Sequence, residues 1–259
     1  MSNITDINIA FPDAAALQLR LAIGACRLRI TPGDGPQWVM GMYEDASNLA
    51  PLRIVQEGGN VSISQEFSWP ETLGKVTQPA RLDLRLGKGA PYTLLLEGGA
   101  SEGEINLGGL PLRSLEIKYG AGKQEFDFSA PNPVVMDKLS VAAGAAGIEF
   151  EHLANANFVE MTLDGGAASF ELNFGGALQR NATAKINAGM AAIQLEVPTT
   201  TATKVTTEAV LGGVEVGDGF MKREGAFWNE AALAGKTPTL TISAKVVMGG
   251  IEIKLTGDR

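Results

Sequence analysis

The stretch from Leu115 to Pro198 constrains the fold most, because it repeats one pattern four times. Its units read LEIKYGAGKQEFDFSAP, LSVAAGAAGIEFEHL, MTLDGGAASFELNF and KINAGMAAIQLEVP. In each, a short segment alternating apolar with polar residues reaches a glycine, small residues follow, and a second alternating segment begins. Period-two alternation marks half-buried strands, and a recurrence of roughly 21 to 24 residues lies in the range of stacked repeats. The pattern predicts an all-β, single-domain parallel β-solenoid (a right-handed β-helix) of about nine or ten coils.

Counted by glycine corner, the units centre on Gly24, Gly58, Gly98, Gly122, Gly144, Gly165, Gly189, Gly212 and Gly249. One domain over residues 1–259 is expected, with irregular N-terminal coils and longer loops in 1–97. Regular coils follow in 98–259, with an insertion at 217–238. An insertion at a corner leaves the stacking surfaces untouched, so wider spacing reads as looped-out coils. Residues 65–80 read as a surface loop. Only Asp13–Leu19 and Asn229–Ala234 resemble helices, and both are short.

Aligning the segments after each glycine gives inward columns. The first holds Ile105, Phe126, Ile148, Phe170, Ile193, Val214 and Ile251; the second holds Leu107, Phe128, Phe150, Leu172, Leu195, Val216 and Ile253. Burying such a side chain stabilises by roughly 1.5 to 3 kcal/mol, so these columns carry the core. The small residues at the corners, among them Ala121, Ala145, Ala167 and Ala191, fit a sharp turn where stacked chains leave little room. A phosphate-binding role for the glycines is disfavoured because strands follow them instead of a helix N-terminus.

The outward positions gather carboxylates. Asp127, Glu149, Glu151, Glu171, Glu196, Glu215 and Glu252 fall on one face, whereas the preceding segments present a mixed set such as Glu116, Lys118, Lys185 and Lys245. Like charges stacked on neighbouring strands are unfavourable. The acidic face is thus either a solvated surface that keeps the chain soluble or a docking face for a basic partner segment or divalent cations. No calcium-loop pattern is present, so no metal and no cofactor is expected. The insertion concentrates Phe220, Phe227 and Trp228 among charges and offers a second candidate contact loop, or a flap over the last coils.

Net charge of −8 and a pI near 4.8 argue against nucleic acid as a partner. A single cysteine, Cys26, excludes an intrachain disulfide framework and shares the parity of Leu28 and Ile30, which reads as a buried small hydrophobe. The N-terminal segment lacks the basic and apolar regions of a signal peptide, and no apolar run is long enough to span a bilayer. A cytoplasmic location without direct membrane insertion is the resulting expectation. His152, the one histidine, follows Glu151 and reads as a structural residue near a strand end. No nucleophile elbow supports a catalytic triad.

The segments GACRLRI, ARLDLRLGKGAPYTLLLEGGASEGEINLGGLPLRSLEIKYGAGKQEFDF and VVMGGIEIKL give the chain its wider likeness. In their order it resembles the toast-rack family of bacterial β-solenoids, which includes the C-terminal domain of LiaF-like cell-wall-active antibiotic response proteins. The resemblance implies a non-enzymatic regulatory or scaffolding module working through protein contacts, with a link to envelope-stress signalling. It brings no catalytic residues. The membrane helices commonly attached in that family have no counterpart in this sequence. Two other functions compete: a self-assembling scaffold joined through the solenoid ends, which would give filaments, and a polysaccharide-active β-helix enzyme working through external carboxylates.

Overall fold

The computed structural model describes residues 3–47, 49–66 and 79–257. Most of the segment expected to loop out at 65–80, namely 67–78, lies outside the described residues. The first part of the chain contains β1 (Asn3–Ala10), β2 (Gln18–Ile23), β3 (Cys26–Gly33), β4 (Gln37–Asp45), β5 (Leu52–Glu57), β6 (Asn60–Gln65), β7 (Ala80–Gly87), β8 (Tyr92–Ala100) and β9 (Glu102–Asn106). Longer strands follow: β10 (Leu112–Asp127), β11 (Met136–Glu151), β12 (Phe158–Asn173), β13 (Ala182–Pro198) and β14 (Ala202–Val216). The last part holds β15 (Phe220–Arg223), β16 (Ala226–Asn229), the one-turn helix α1 (Glu230–Leu233) and β17 (Thr239–Thr256). All these strands belong to one mixed, open sheet.

Each long strand carries two arms joined at a glycine corner. The first arm of β10 pairs in parallel with β8 and its second arm with β9. β2 and β3 in turn lie parallel to β8 and β9. The corner needs glycine for two reasons where it is tightest. Gly122 has φ +109°, and a Cβ there would sit 1.9 Å from the Ser101 carbonyl oxygen; Gly249 has φ +129° and would meet the Ala191 carbonyl oxygen at 1.9 Å. The inward residues of both arms enter a single hydrophobic core. Leu19, Leu94, Leu115, Leu139 and Met161 line the first arms and are buried.

Three features depart from a uniform parallel stack. First, antiparallel strands are added at both ends: β1 pairs with β4, β4 with β7 and β5 with β6 at one end, and at the other β16 pairs with β15 and with two residues of β14. Gly58, expected as a coil corner, is therefore the turn of the β5–β6 hairpin, with φ +57°. Second, spatial order differs from chain order. β17 lies between β13 and β14, and the β2–β3 pair lies between β6–β7 and β8–β9. Third, Asp13–Leu19 is not helical and runs into β2, whereas Asn229–Ala234 contains α1, N-capped by the Asn229 side chain.

The inward columns are also redrawn. From β11 onward the expected partners hold: Ile148 faces Phe170, Ile193, Ile251 and Val214 along one column. In β10, however, Gln124 opposes Ile148, and Phe126 opposes Phe150. Ile105 and Phe126 thus belong to the second column, two residues from their expected place. Gln124 is fully buried; its Nε2 donates to the Ser101 carbonyl at 2.6 Å, and it lies over Gly103, where any Cβ would clash with it. A polar residue and a glycine hold the positions that apolar pattern matching filled with Ile105 and Phe126.

Buried asparagines tie the connections between the second and first arms. Asn132 Nδ2 donates to the Leu112 carbonyl at 2.8 Å, and Asn155 Nδ2 to the Phe128 carbonyl at 2.8 Å. Asn157 Nδ2 donates to the Val134 carbonyl at 2.9 Å. These bonds join successive layers, so the turns stack in step with the strands.

Candidate functional site

The outer face of the second arms carries the acidic residues, and backbone register sorts them into two columns. Glu104, Glu125, Glu149, Glu171, Gln194, Glu252 and Glu215 occupy one line across β9, β10, β11, β12, β13, β17 and β14. Beside it run Asn106, Asp127 and Glu151, and then Asn173, Glu196 and Lys254. Neighbouring strands stand about 4.8 Å apart, so the glutamates form a regular array on a hydrogen-bonded support.

The seven expected face residues therefore divide. Glu149, Glu171, Glu252 and Glu215 lie on the central line, whereas Asp127, Glu151 and Glu196 lie on the neighbouring one. Glu104 and Glu125 are additional members of the central line. The two-residue slip at Gln124 hid them, since matching apolar residues had placed them one outward position away.

Few cations reach this face. Lys123 Nζ lies 2.5 Å from Glu125 and 3.3 Å from Glu149, and these two carboxylates raise its pKa, Glu125 first. Lys254 pairs with Glu252 at 2.7 Å, and Arg29 lies 3.8 Å from Glu104 at the edge of the array. Among the described residues Glu171 and Glu215 make no ion pair and no side-chain hydrogen bond. The Glu151 carboxyl is pushed above its usual range, first by burial and then by Glu149, Glu196 and Asp127; His152 opposes the shift. Burial thus leads the shift, and the neighbouring carboxylates add to it.

His152 adopts φ 55° just before a short 3₁₀ helix, Leu153–Ala156, and its Nδ1 lies 2.8 Å from Asp127 Oδ1. A carboxylate-held imidazole is one component of a general base. Among the described residues its other ring nitrogen has no hydrogen-bond partner, and the Asp127 contact ties the turn to the preceding layer. No group of His, Cys, Asp and Glu among the described residues is placed to hold a metal ion.

The opposite face, on the first arms, is mixed and internally paired. Arg20 meets Glu97 at 2.5 Å, Lys185 meets Glu160 at 2.8 Å and Lys245 meets Glu208 at 2.8 Å. The two faces thus differ in kind: one is neutralised in place, and the other leaves negative charge outward.

The candidate loop at Phe220, Phe227 and Trp228 is a hairpin laid against the start of β14, with Lys204 opposite Trp228 and Val205 opposite Phe227. Phe220 and Phe227 pack against the core. Trp228 lies under the Lys204 ammonium, 4.9 Å from the ring centroid, and its Nε1 donates to the Arg223 carbonyl. Its aromatics are thereby engaged within the chain and are not gathered into the acidic face.

The matched family model is that of the N-terminal domain of toast_rack (DUF2154), which covers residues 2–134, just over half of the chain. No curated protein matches the sequence. Two solved structures share the fold across almost the whole chain. One, from Clostridium sporogenes, is provisionally described as a cell adhesion protein. It is 14% identical with a TM-score of 0.51, and the match covers 99% of this chain and all of that one. The other, from Bacteroides fragilis, is provisionally described as an adhesin. It is 10% identical with a TM-score of 0.51, covering 98% of this chain and 97% of that one.

Proposed function

The chain belongs to the toast-rack family, and from that premise we propose that it is a non-catalytic recognition module, regulatory or scaffolding in role, whose acidic face docks a basic protein segment. On this reading the whole chain is one β-solenoid domain with modified ends. The observation that carries the proposal is the in-register line of Glu125, Glu149, Glu171, Glu252 and Glu215 on a rigid sheet. Stacked like charges destabilise their own sheet. A lysine- or arginine-rich segment laid across the strands would remove that repulsion and gain charge-assisted hydrogen bonds. The description of two proteins of the same fold as adhesion proteins is in keeping with contact as the mode of action.

A fluorescent oligolysine peptide titrated at low and moderate salt tests this. Binding should weaken as salt rises. The triple variant Glu149→Gln, Glu171→Gln, Glu252→Gln should weaken it by about tenfold or more. Replacing Glu116, Glu160 and Glu208 by Gln on the opposite face should leave affinity within about twofold. Equal losses from the two triples would reduce the effect to net charge and overturn the reading. Turnover of a sugar polymer that is lost in both Glu149→Gln and Glu171→Gln would replace docking with catalysis.

A further inference from the structure

The two ends of the stack are finished differently. At one end the sheet finishes in the antiparallel strands β1, β4 and β5, and Ile7 and Ile9 of β1 are buried. At the other end β14 is outermost, and among the described residues β16 covers its outer edge at Lys204 and Val205, with the Asn229 side chain accepting from the Thr203 N–H. From Thr206 to Val216 no described strand pairs with that edge.

The side chains on this edge match an interior layer more than a surface. Val214 continues the column in which Ile251 is 1% exposed, yet it is itself 37% exposed. At the corner the first layers carry Gly120-Ala121, Gly144-Ala145 and Gly166-Ala167, whereas large apolar residues begin at Met190 of β13 and Val247 and Met248 of β17, 57%, 47% and 46% exposed, and end at the edge with Val210 and Leu211 of β14, 56% and 61% exposed. Met248 of β17 adjoins Leu211, extending the apolar patch. Large apolar side chains beside unpaired backbone groups mark a surface that another strand can complete.

We propose that this edge pairs with the same edge of a second copy of the chain, antiparallel, about a two-fold axis passing between Val210 and Leu211. The chain's own pattern selects the partner and the register. Setting Val210 opposite Leu211 of the second copy places Thr206 opposite Glu215, Thr207 opposite Val214 and Glu208 opposite Gly213. Outward residues then meet outward residues, and inward residues meet inward ones. Neither glutamate faces another acid directly, and Lys204 and Glu208 become the two diagonal neighbours of Glu215. Val210 and Leu211 from both copies meet at the axis, and the inward Val214 columns are closed.

The pairing ends where β16 begins, so the hairpin limits it to this one span. Like ends joining like ends give a closed dimer. Head-to-tail filaments, considered from the sequence, would instead bring Asp6 of β1 in line with Glu215, because the outer positions of β1, β4 and β7 continue the glutamate line. This inference does not depend on the acidic face binding a partner.

Light scattering across a concentration series, combined with oxidative crosslinking, tests the arrangement. The wild-type chain should pass from monomer to dimer and stop there. Leu211→Lys, a substitution at an exposed site, should raise the dissociation constant by about tenfold or more while leaving circular dichroism unchanged. The double variant Thr206→Cys, Glu215→Cys should form a disulfide-linked dimer, and neither single variant should. A monomer at every concentration overturns the proposal, as does an assembly that keeps growing. A dimer indifferent to Leu211→Lys and unlinked by the cysteine pair overturns it equally.

Discussion

The register at β10 makes a quantitative claim about two aromatic rings. Phe126 and Phe150 are buried, their centroids are 4.8 Å apart and their planes differ by 18°. They stack because the backbone pairs residue 126 with 150; the alternative alignment would have paired Phe126 with Ile148. Replacing either phenylalanine by leucine removes part of the buried volume while keeping an apolar side chain, a loss of about 1 to 2 kcal/mol each. Stacked aromatic pairs contribute about 0.5 to 1.5 kcal/mol beyond their buried area. The Phe126→Leu, Phe150→Leu double variant should therefore be less destabilised than the sum of the singles by about that amount. Urea unfolding of all four proteins, with slopes checked for two-state behaviour, yields the coupling directly. A parallel cycle with Phe126→Leu and Ile148→Val should give a smaller value, because those side chains are diagonal neighbours. A Phe126–Phe150 coupling near zero, or one exceeded by the Ile148 cycle, would refute the register argument.

Three further outcomes follow from other groups. Asn155→Ala strands the Phe128 carbonyl and the Ala177 N–H that its side chain bonds at 2.8 and 2.9 Å, and should lower unfolding free energy by about 1 to 3 kcal/mol in chemical denaturation. The raised Glu151 carboxyl binds its proton more tightly in the folded chain than in the unfolded one. This group's contribution should thus be lost as pH rises from the ordinary glutamate range through the raised value. Glu151→Gln should remove that decline and be the more stable protein at neutral pH, which denaturation at several pH values will read. Cys26 is 1% exposed, and burial pushes its thiol pKa up to about 12. A thiol reagent at pH 8 should label it only after unfolding, and rapid labelling of the native chain would contradict its packing.

Local pattern alone determines which segments are strands and which side chains face inward in this chain. Alternation named the strands from Leu115 onward, the glycine-alanine pairs named the corners, and parity sent Phe150, Leu172 and Leu195 inward and Glu149, Glu171 and Glu252 outward. Each is a property of a residue and its near neighbours, because a pleated strand has a fixed period and a sharp corner has a steric limit. The membership of Glu104 and Glu125 in the acidic line was not legible this way. It depends on Gln124 being buried over Gly103, and a glutamine in a core column carries no apolar signal.

Strand order was decided by the tertiary structure alone. The strands concerned present the same inward parity, so placing β17 between β13 and β14, or β2–β3 between β6–β7 and β8–β9, leaves the inward pattern unchanged. Periodicity states which face of a strand is buried and is silent about which strand lies beside it. Backbone hydrogen bonds between distant segments make that choice, and with it they determine that β14, carrying Val210 and Leu211, is the strand left at the edge.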